Sequence, residues 1–334
     1  MSNCIYYRDR PGLTFVQSEH IIPAGIGGRH TLPKGYVSDQ FNHDISKLEL
    51  GFMRESVIAI GRQMVGPGKR GSVKPADVTR SKVMLVSQPG PPESFFLGYL
   101  ALGTAVALPQ VRIDQSTGNK EWTLPATVPA AEADGWLLNL LAGASGLKPS
   151  YISSDRLGIQ EAIIGFDDRL YIARHPGSSF GLSAQLIEDL RAAVGQSSAP
   201  YAAKNQPISF SQAAVVADDF YRVTAKIALN TLALLKGKAF VLDAAFDTLR
   251  RYITTGGQNP GVVLIPKAQR YPQFPLHAHH LIFGVSAGKL ACNVCFYNQF
   301  TVNVILSNQF TAVFDPAVYL CDWRQKTEGW PVRH

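Results

Sequence analysis

Apolar residues recur along this chain with two different periods, and the changes between them mark its parts. Residues 1–35 hold only short pieces. Leu13-Thr14-Phe15-Val16 is β-prone, and Pro23, Gly25, Gly27 and Gly28 then force a loop. A helix is predicted to start at Ser38, a good N-cap with Asp39 in the first turn. Phe41, Ile45, Leu48 and Phe52 follow on one face, and the pattern is expected to run on through Ile58 and Met64 to Gly66-Pro67-Gly68. Residues 66–94 read as a linker or arm punctuated by Gly and Pro. Helices are then predicted over 95–107, 183–194, 211–236 and 241–253, with a turn at Thr117-Gly118-Asn119. In the long helix Arg222, Lys226 and Asn230 recur every four residues, which predicts a solvent-facing polar edge. β-prone runs at 280–285, 290–297, 302–306 and 311–314 predict an antiparallel meander, and the tail after Pro316 is expected to be irregular.

The 334 residues allow two domains at about 100–200 residues each. With 46% apolar and 17% charged residues the chain buries a full core, which excludes a disordered polymer. No apolar run reaches the ~18 residues of a membrane span, and Met1 to Arg10 is too polar for a secretory signal. Four cysteines are too few for a disulfide framework, so a cytoplasmic protein with no membrane partner is expected. The net charge of +7 is unevenly spread: residues 54–82 carry seven basic side chains against Glu55 and Asp77. Arg62, Lys69, Arg70 and Lys74 in that stretch are candidate contacts for the phosphates of a nucleic acid.

The candidate chemistry lies in Ser18-Glu19-His20-Ile21-Ile22-Pro23-Ala24-Gly25-Ile26-Gly27-Gly28, followed by Phe41-Asn42 in the first turn of the predicted helix. A carboxylate and an imidazole stand side by side at the end of a β-prone run, and a hairpin packed under the helix would bring Asn42 near Glu19. This string resembles the HNH endonuclease superfamily, in the branch that carries a Glu-His-Ile-Ile-Pro…Gly-Gly core between two Cys-x-x-Cys pairs. The likeness covers roughly residues 4–53. Weaker echoes of larger members are Met53-Arg54-Glu55-Ser56, Gly66-Pro67-Gly68-Lys69-Arg70-Gly71 and Lys226-Ile227-Ala228-Leu229-Asn230.

The resemblance implies an α+β protein: an HNH-like ββα-metal module at 1–65, the basic arm at 66–94, and a mixed α/β domain at 95–334 with a C-terminal antiparallel β meander. It implies a metal-dependent endonuclease acting on nucleic acid, DNA ahead of RNA. Glu19 and the side-chain oxygen of Asn42 would hold one divalent cation, Mg²⁺ or Mn²⁺, and His20 would be the general base that activates water. Two further readings stand beside it: a catalytically inactive nucleic-acid-binding relative, and a protein-interaction scaffold.

The departures from the family pattern are equally specific. The loop before the helix reads Leu32-Pro33-Lys34-Gly35, without the asparagine that commonly orients the histidine; a backbone carbonyl, His30 or Lys34 are the alternatives. The cysteine pairs read Cys4-Ile5-Tyr6-Tyr7 and Ser38-Asp39-Gln40-Phe41, leaving one thiol of four, so no structural zinc is expected. Packing of Tyr7 and Phe41 is the expected replacement. Cys292 and Cys295 read as buried free thiols, the histidines 277, 279 and 280 as incidental, and His43 as a surface residue of the helix.

Overall fold

Ser38 Oγ accepts from the Phe41 N–H at 3.4 Å and opens α1 (Asp39–Arg54), whose Phe41, Ile45 and Phe52 are buried. The helix does not continue to Met64. Ser56 donates to the Phe52 carbonyl at 2.5 Å and accepts from the Ile58 N–H at 3.1 Å, so a new helix, α2 (Val57–Val65), is capped there. A serine hydroxyl that competes for backbone partners is what breaks the expected single helix. Residues 13–16 form no strand, and Val16 is exposed. The computed structural model describes residues 3–330 apart from 69–70, 73, 75–76, 89–92, 126, 145–146, 195–215 and 267–269.

The chain divides into two compact units; one boundary falls within the expected 66–94 linker, and the other falls inside the domain expected at 95–334. One unit joins Met1–Thr79 to Ala213–His334, and Arg80–Gln212 forms the other. The first 65 residues are therefore not a free-standing module. Their Ile5, Ile21 and Phe41 belong to one hydrophobic core with Phe283, Phe296 and Tyr319 from the far end of the chain.

The inserted unit begins with β1 (Met84–Gln88), β2 (Ser94–Ala101) and β3 (Thr104–Ala107), an antiparallel three-stranded sheet. The helix expected at 95–107 is thus a hairpin. Leu102 and Gly103 turn it with φ of 48° and 73°, and the aromatic residues before them favour a pleated strand. β4 (Gln110–Asp114), β5 (Lys120–Thr123), α3 (Ala133–Ala144), β6 (Pro149–Ser153), β7 (Glu161–Phe166), β8 (Leu170–Arg174) and α4 (Ala184–Ala192) complete the unit. Its second sheet runs β5-β4-β7-β8-β6, with β6 and β8 parallel. α4 is capped as predicted, Ser183 Oγ accepting from the Leu186 N–H at 3.0 Å.

The first unit resumes with α5 (Asp218–Lys236), α6 (Lys238–Val241), α7 (Asp247–Thr255) and β9 (Val262–Leu264), so the helix predicted at 241–253 starts only at Asp247, after a 3-10 turn at Ala244–Phe246. β10 (His279–Ser286), β11 (Lys289–Phe296), β12 (Phe300–Ser307), β13 (Ala317–Asp322) and β14 (Thr327–Gly329) then build an antiparallel sheet in the order β14-β13-β10-β11-β12-β9. Three strands of the predicted meander are present. Residues 311–314 are not the fourth; Phe310 and Phe314 instead meet edge to face at 6.2 Å. β13 takes that place, pairing Tyr319 with Leu281, in the tail expected to be irregular. α1 lies against α5, and α5 and α7 lie against β12. Among the described residues no helix is long and apolar enough to cross a membrane.

Two histidines sit inside this sheet. His279 Nε2 lies 2.9 Å from the Ile26 carbonyl while its Nδ1 accepts from the Tyr297 N–H at 3.2 Å, the pattern of a neutral ring. His280 is packed against Tyr271 and Phe274, and neither ring nitrogen has a hydrogen-bond partner among the described residues. Burial pushes both imidazoles down to about 4. In the unfolded chain they titrate near ~6.5, so between these values the unfolded state binds more protons and stability falls as pH falls. Each ring contributes up to about 3 kcal/mol to that loss. The urea midpoint is therefore expected to drop between pH of about 6.5 and 4, and His280→Phe to flatten the slope by about one proton. An unchanged slope in the variant would show that His280 is not one of the groups responsible.

Candidate active site

Glu19, His20 and Ile21 form one side of a very short hairpin. The Leu32 N–H donates to the Glu19 carbonyl at 2.8 Å, the Ile21 N–H to the His30 carbonyl at 3.0 Å, and His20 bridges Thr31. The glycines between are required by close approach. A Cβ on Gly28 would lie 1.8 Å from the Ile22 carbonyl oxygen, and one on Gly27, whose φ is 100°, would lie 2.3 Å from Cβ of Trp323. The sheet grips this loop through His279 on the Ile26 carbonyl and Cys321 Sγ at 3.8 Å from the Gly27 carbonyl. The hairpin, the loop and α1 follow in the expected order.

The four positions at which the resembled family carries thiolates touch one another in pairs. Cys4 Sγ accepts from the Ser38 N–H at 3.4 Å, and Tyr7 meets Phe41 edge-on at 5.6 Å between centroids. Tyr6 adds a stack on Phe41 with centroids 3.7 Å apart and planes within 5°. As the sequence predicted, aromatic packing ties the N-terminal turn to the start of α1.

The predicted polar edge of α5 is not wet. Lys226 and Asn230 are fully buried, and every member of the stripe has a task. Arg222 donates to the Ile253 and Thr254 carbonyls at the end of α7. Lys226 Nζ donates to both Glu19 Oε1 and Glu49 Oε1. Asn230 Nδ2 donates to the His20 carbonyl at 3.1 Å, and its Oδ1 accepts from the Tyr6 hydroxyl at 2.5 Å. Two successive turns of α5 thus hold two successive residues of the hairpin, Glu19 by its side chain and His20 by its backbone. Burial, with Glu19 nearby, keeps the Tyr6 phenol well above the usual tyrosine range and so in its donating form. Burial also raises Glu19 above the ordinary carboxyl range, an effect that Lys226 opposes. Burial alone would lower Lys226, but the carboxylates of Glu49 and Glu19 outweigh it and hold the ammonium charged.

Asn42 and Glu49 are seven residues apart on α1 and share a face, so the face that reaches Lys226 is the one bearing Asn42. Among the described residues Asn42 Oδ1, which is buried, has no hydrogen-bond partner. His20 is half-buried, and its Nδ1 likewise has no partner. None of the expected alternatives orients that ring. His30 Nδ1 pairs with the Tyr319 hydroxyl at 3.3 Å, Lys34 is exposed, and Asn230 holds the histidine's carbonyl rather than its imidazole.

Of the basic candidates, Arg62 is corrected: it is buried, donates to the Met53 carbonyl at 3.1 Å, and is lowered by that burial. It braces the joint between α1 and α2 rather than facing a phosphate. Lys74 is exposed, whereas Lys69 and Arg70 lie outside the described residues. Cys292 and Cys295 are free buried thiols, and His43 is exposed, as predicted. Among the described residues no group of three or more His, Cys, Asp or Glu is arranged to hold a metal.

Sequence reasoning missed Glu49 and Tyr6, and assigned Lys226 and Asn230 to solvent. The available signal was the setting: a lysine and an asparagine one turn apart inside an almost wholly apolar run. Lys226→Met is expected to destabilise the protein by about 3–5 kcal/mol in urea unfolding, because it leaves two carboxylates without their counterion. A loss below about 1 kcal/mol would mean that the ammonium is not the partner that holds Glu19 and Glu49. The chain matches no protein-family model, no curated protein and no solved structure.

Proposed function

We propose that this chain is a metal-dependent endonuclease of the HNH type, hydrolysing phosphodiester bonds with His20 as general base. The observation that supports it most is the meeting of Glu19 with the Asn42-bearing face of α1 through Lys226. The contacts among Cys4, Ser38, Tyr7 and Phe41 support the same reading of the hairpin and helix. The preference for DNA over RNA rests on the resemblance alone.

The donor set fits a hard cation. Glu19 and Glu49 share one ammonium, so with both ionised the cluster holds one negative charge in excess. Asn42 Oδ1, on the face of α1 that Glu49 shares, is a buried oxygen with no hydrogen-bond partner among the described residues. Held by Glu19 and the Asn42 amide oxygen, one Mg²⁺ or Mn²⁺ would neutralise charge on the scissile phosphate and its leaving oxygen. His20 takes the proton of the attacking water, and its partly accessible ring is carried on a backbone that Asn230 anchors. Lys74, exposed on the basic stretch, contributes to holding flanking phosphates.

One observation favours a second reading, a nucleic-acid-binding relative without catalysis: no side chain among the described residues partners His20 Nδ1. Supercoiled plasmid with Mn²⁺ or Mg²⁺ separates the two. The wild type is expected to nick or linearise it and His20→Ala to lose at least about 100-fold in rate, with salt-dependent binding retained in both. Equal cutting by both proteins removes His20 from the mechanism, and binding without cutting under either metal selects the second reading.

A further inference from the structure

The geometry points to Glu49 as the positioning residue of the metal site, acting through Lys226 to leave Glu19 a net attraction for a cation. The inference rests on the proposed reading of Glu19 and Asn42 and adds a residue to it. Lys226 is fully buried, and two of its ammonium hydrogens are taken by carboxylates from different elements, Glu19 on the hairpin and Glu49 on α1. If Glu19 were its only partner, the pair would be neutral and the ammonium would repel a divalent ion bound beside it. Glu49 supplies the second negative charge. It divides the ammonium between two carboxylates and, with both ionised, leaves the cluster negative.

Glu49 also stands two turns along α1 from Asn42, a separation of about 10 Å at ~1.5 Å per residue. That spacing suits a residue that acts on the ion through Lys226 better than one that shares its coordination sphere with Asn42. The Glu19 oxygen not taken by Lys226 makes no hydrogen bond among the described residues, so it is the atom left for the ion.

The test is calorimetric titration of the full chain with Mn²⁺ alone, without nucleic acid, with the fold of each variant checked by circular dichroism. Glu49→Gln keeps an acceptor for Lys226 and removes the charge; it is expected to weaken Mn²⁺ binding about tenfold or more. Glu49→Asp keeps the charge and is expected to stay within about threefold of the wild type. Lys226→Gln moves the charge the other way and is expected to tighten binding about tenfold, a gain that loss of a merely structural contact does not produce. Wild-type affinity in Glu49→Gln, with binding abolished in Glu19→Gln, overturns the role of Glu49 and leaves the proposed site intact. Weaker binding in both Glu49→Gln and Lys226→Gln also overturns it, since charge would then not be the cause. A wild type that binds no Mn²⁺ removes the metal site and this inference together. Should Glu49→Gln or Lys226→Gln fail to fold, Glu49→Asp decides: a loss of affinity of more than about tenfold with the charge retained overturns the role of charge.

Discussion

A lysine ammonium inside a protein core is tolerated only with anionic partners, because taking it out of water costs several kcal/mol that apolar packing does not return. Lys226 meets that condition with two carboxylates more than 170 residues away in sequence, Glu19 at 207 and Glu49 at 177. The hairpin and α1 are thereby referred to the same point on α5. Asn230, one turn further on, adds the His20 carbonyl to the arrangement. The positions of Glu19, His20 and the Asn42 face are all consequences of how one buried helix satisfies its polar groups.

This dependence accounts for the way the chain is divided. An N-terminal segment of this size has little to stabilise it alone, since a core so small buries too little surface. Here the N-terminal segment shares its core with α5 and the C-terminal sheet. The ties that hold it are spread out: the Tyr6–Phe41 stack, the Cys4–Ser38 contact, and the grip of His279, Cys321 and Trp323 on the glycine loop. The same ties explain why neutral histidines are kept in the sheet. His279 fits its two partners only with one donor and one acceptor.

Polar residues in the interior carry most of the specificity of this unit. Arg222 closes the end of α7, Arg250 donates to the Ile5 and Val241 carbonyls, and Arg62 donates to Met53. Each joins its own element to a backbone carbonyl outside it. Arg62, which the charge count places in a basic stretch, and Arg222, which the periodicity places on a solvent-facing edge, are here internal fasteners.

What could be read from the chain alone was local. Ser38 and Ser183 cap their helices, Thr117-Gly118-Asn119 turns between β4 and β5, and the glycines after Pro23 mark loop positions where a Cβ would clash. These features depend on hydrogen bonds and steric contacts within a few residues, so the sequence that makes them also displays them. Partnership across the chain was decided only by the tertiary structure. The run at 95–107 became a hairpin, β13 rather than 311–314 joined β10, and Lys226 turned from a supposed wet edge to a pair of buried carboxylates. Strand pairing and charge pairing are settled by which surfaces meet after folding, and a one-dimensional pattern does not contain that information.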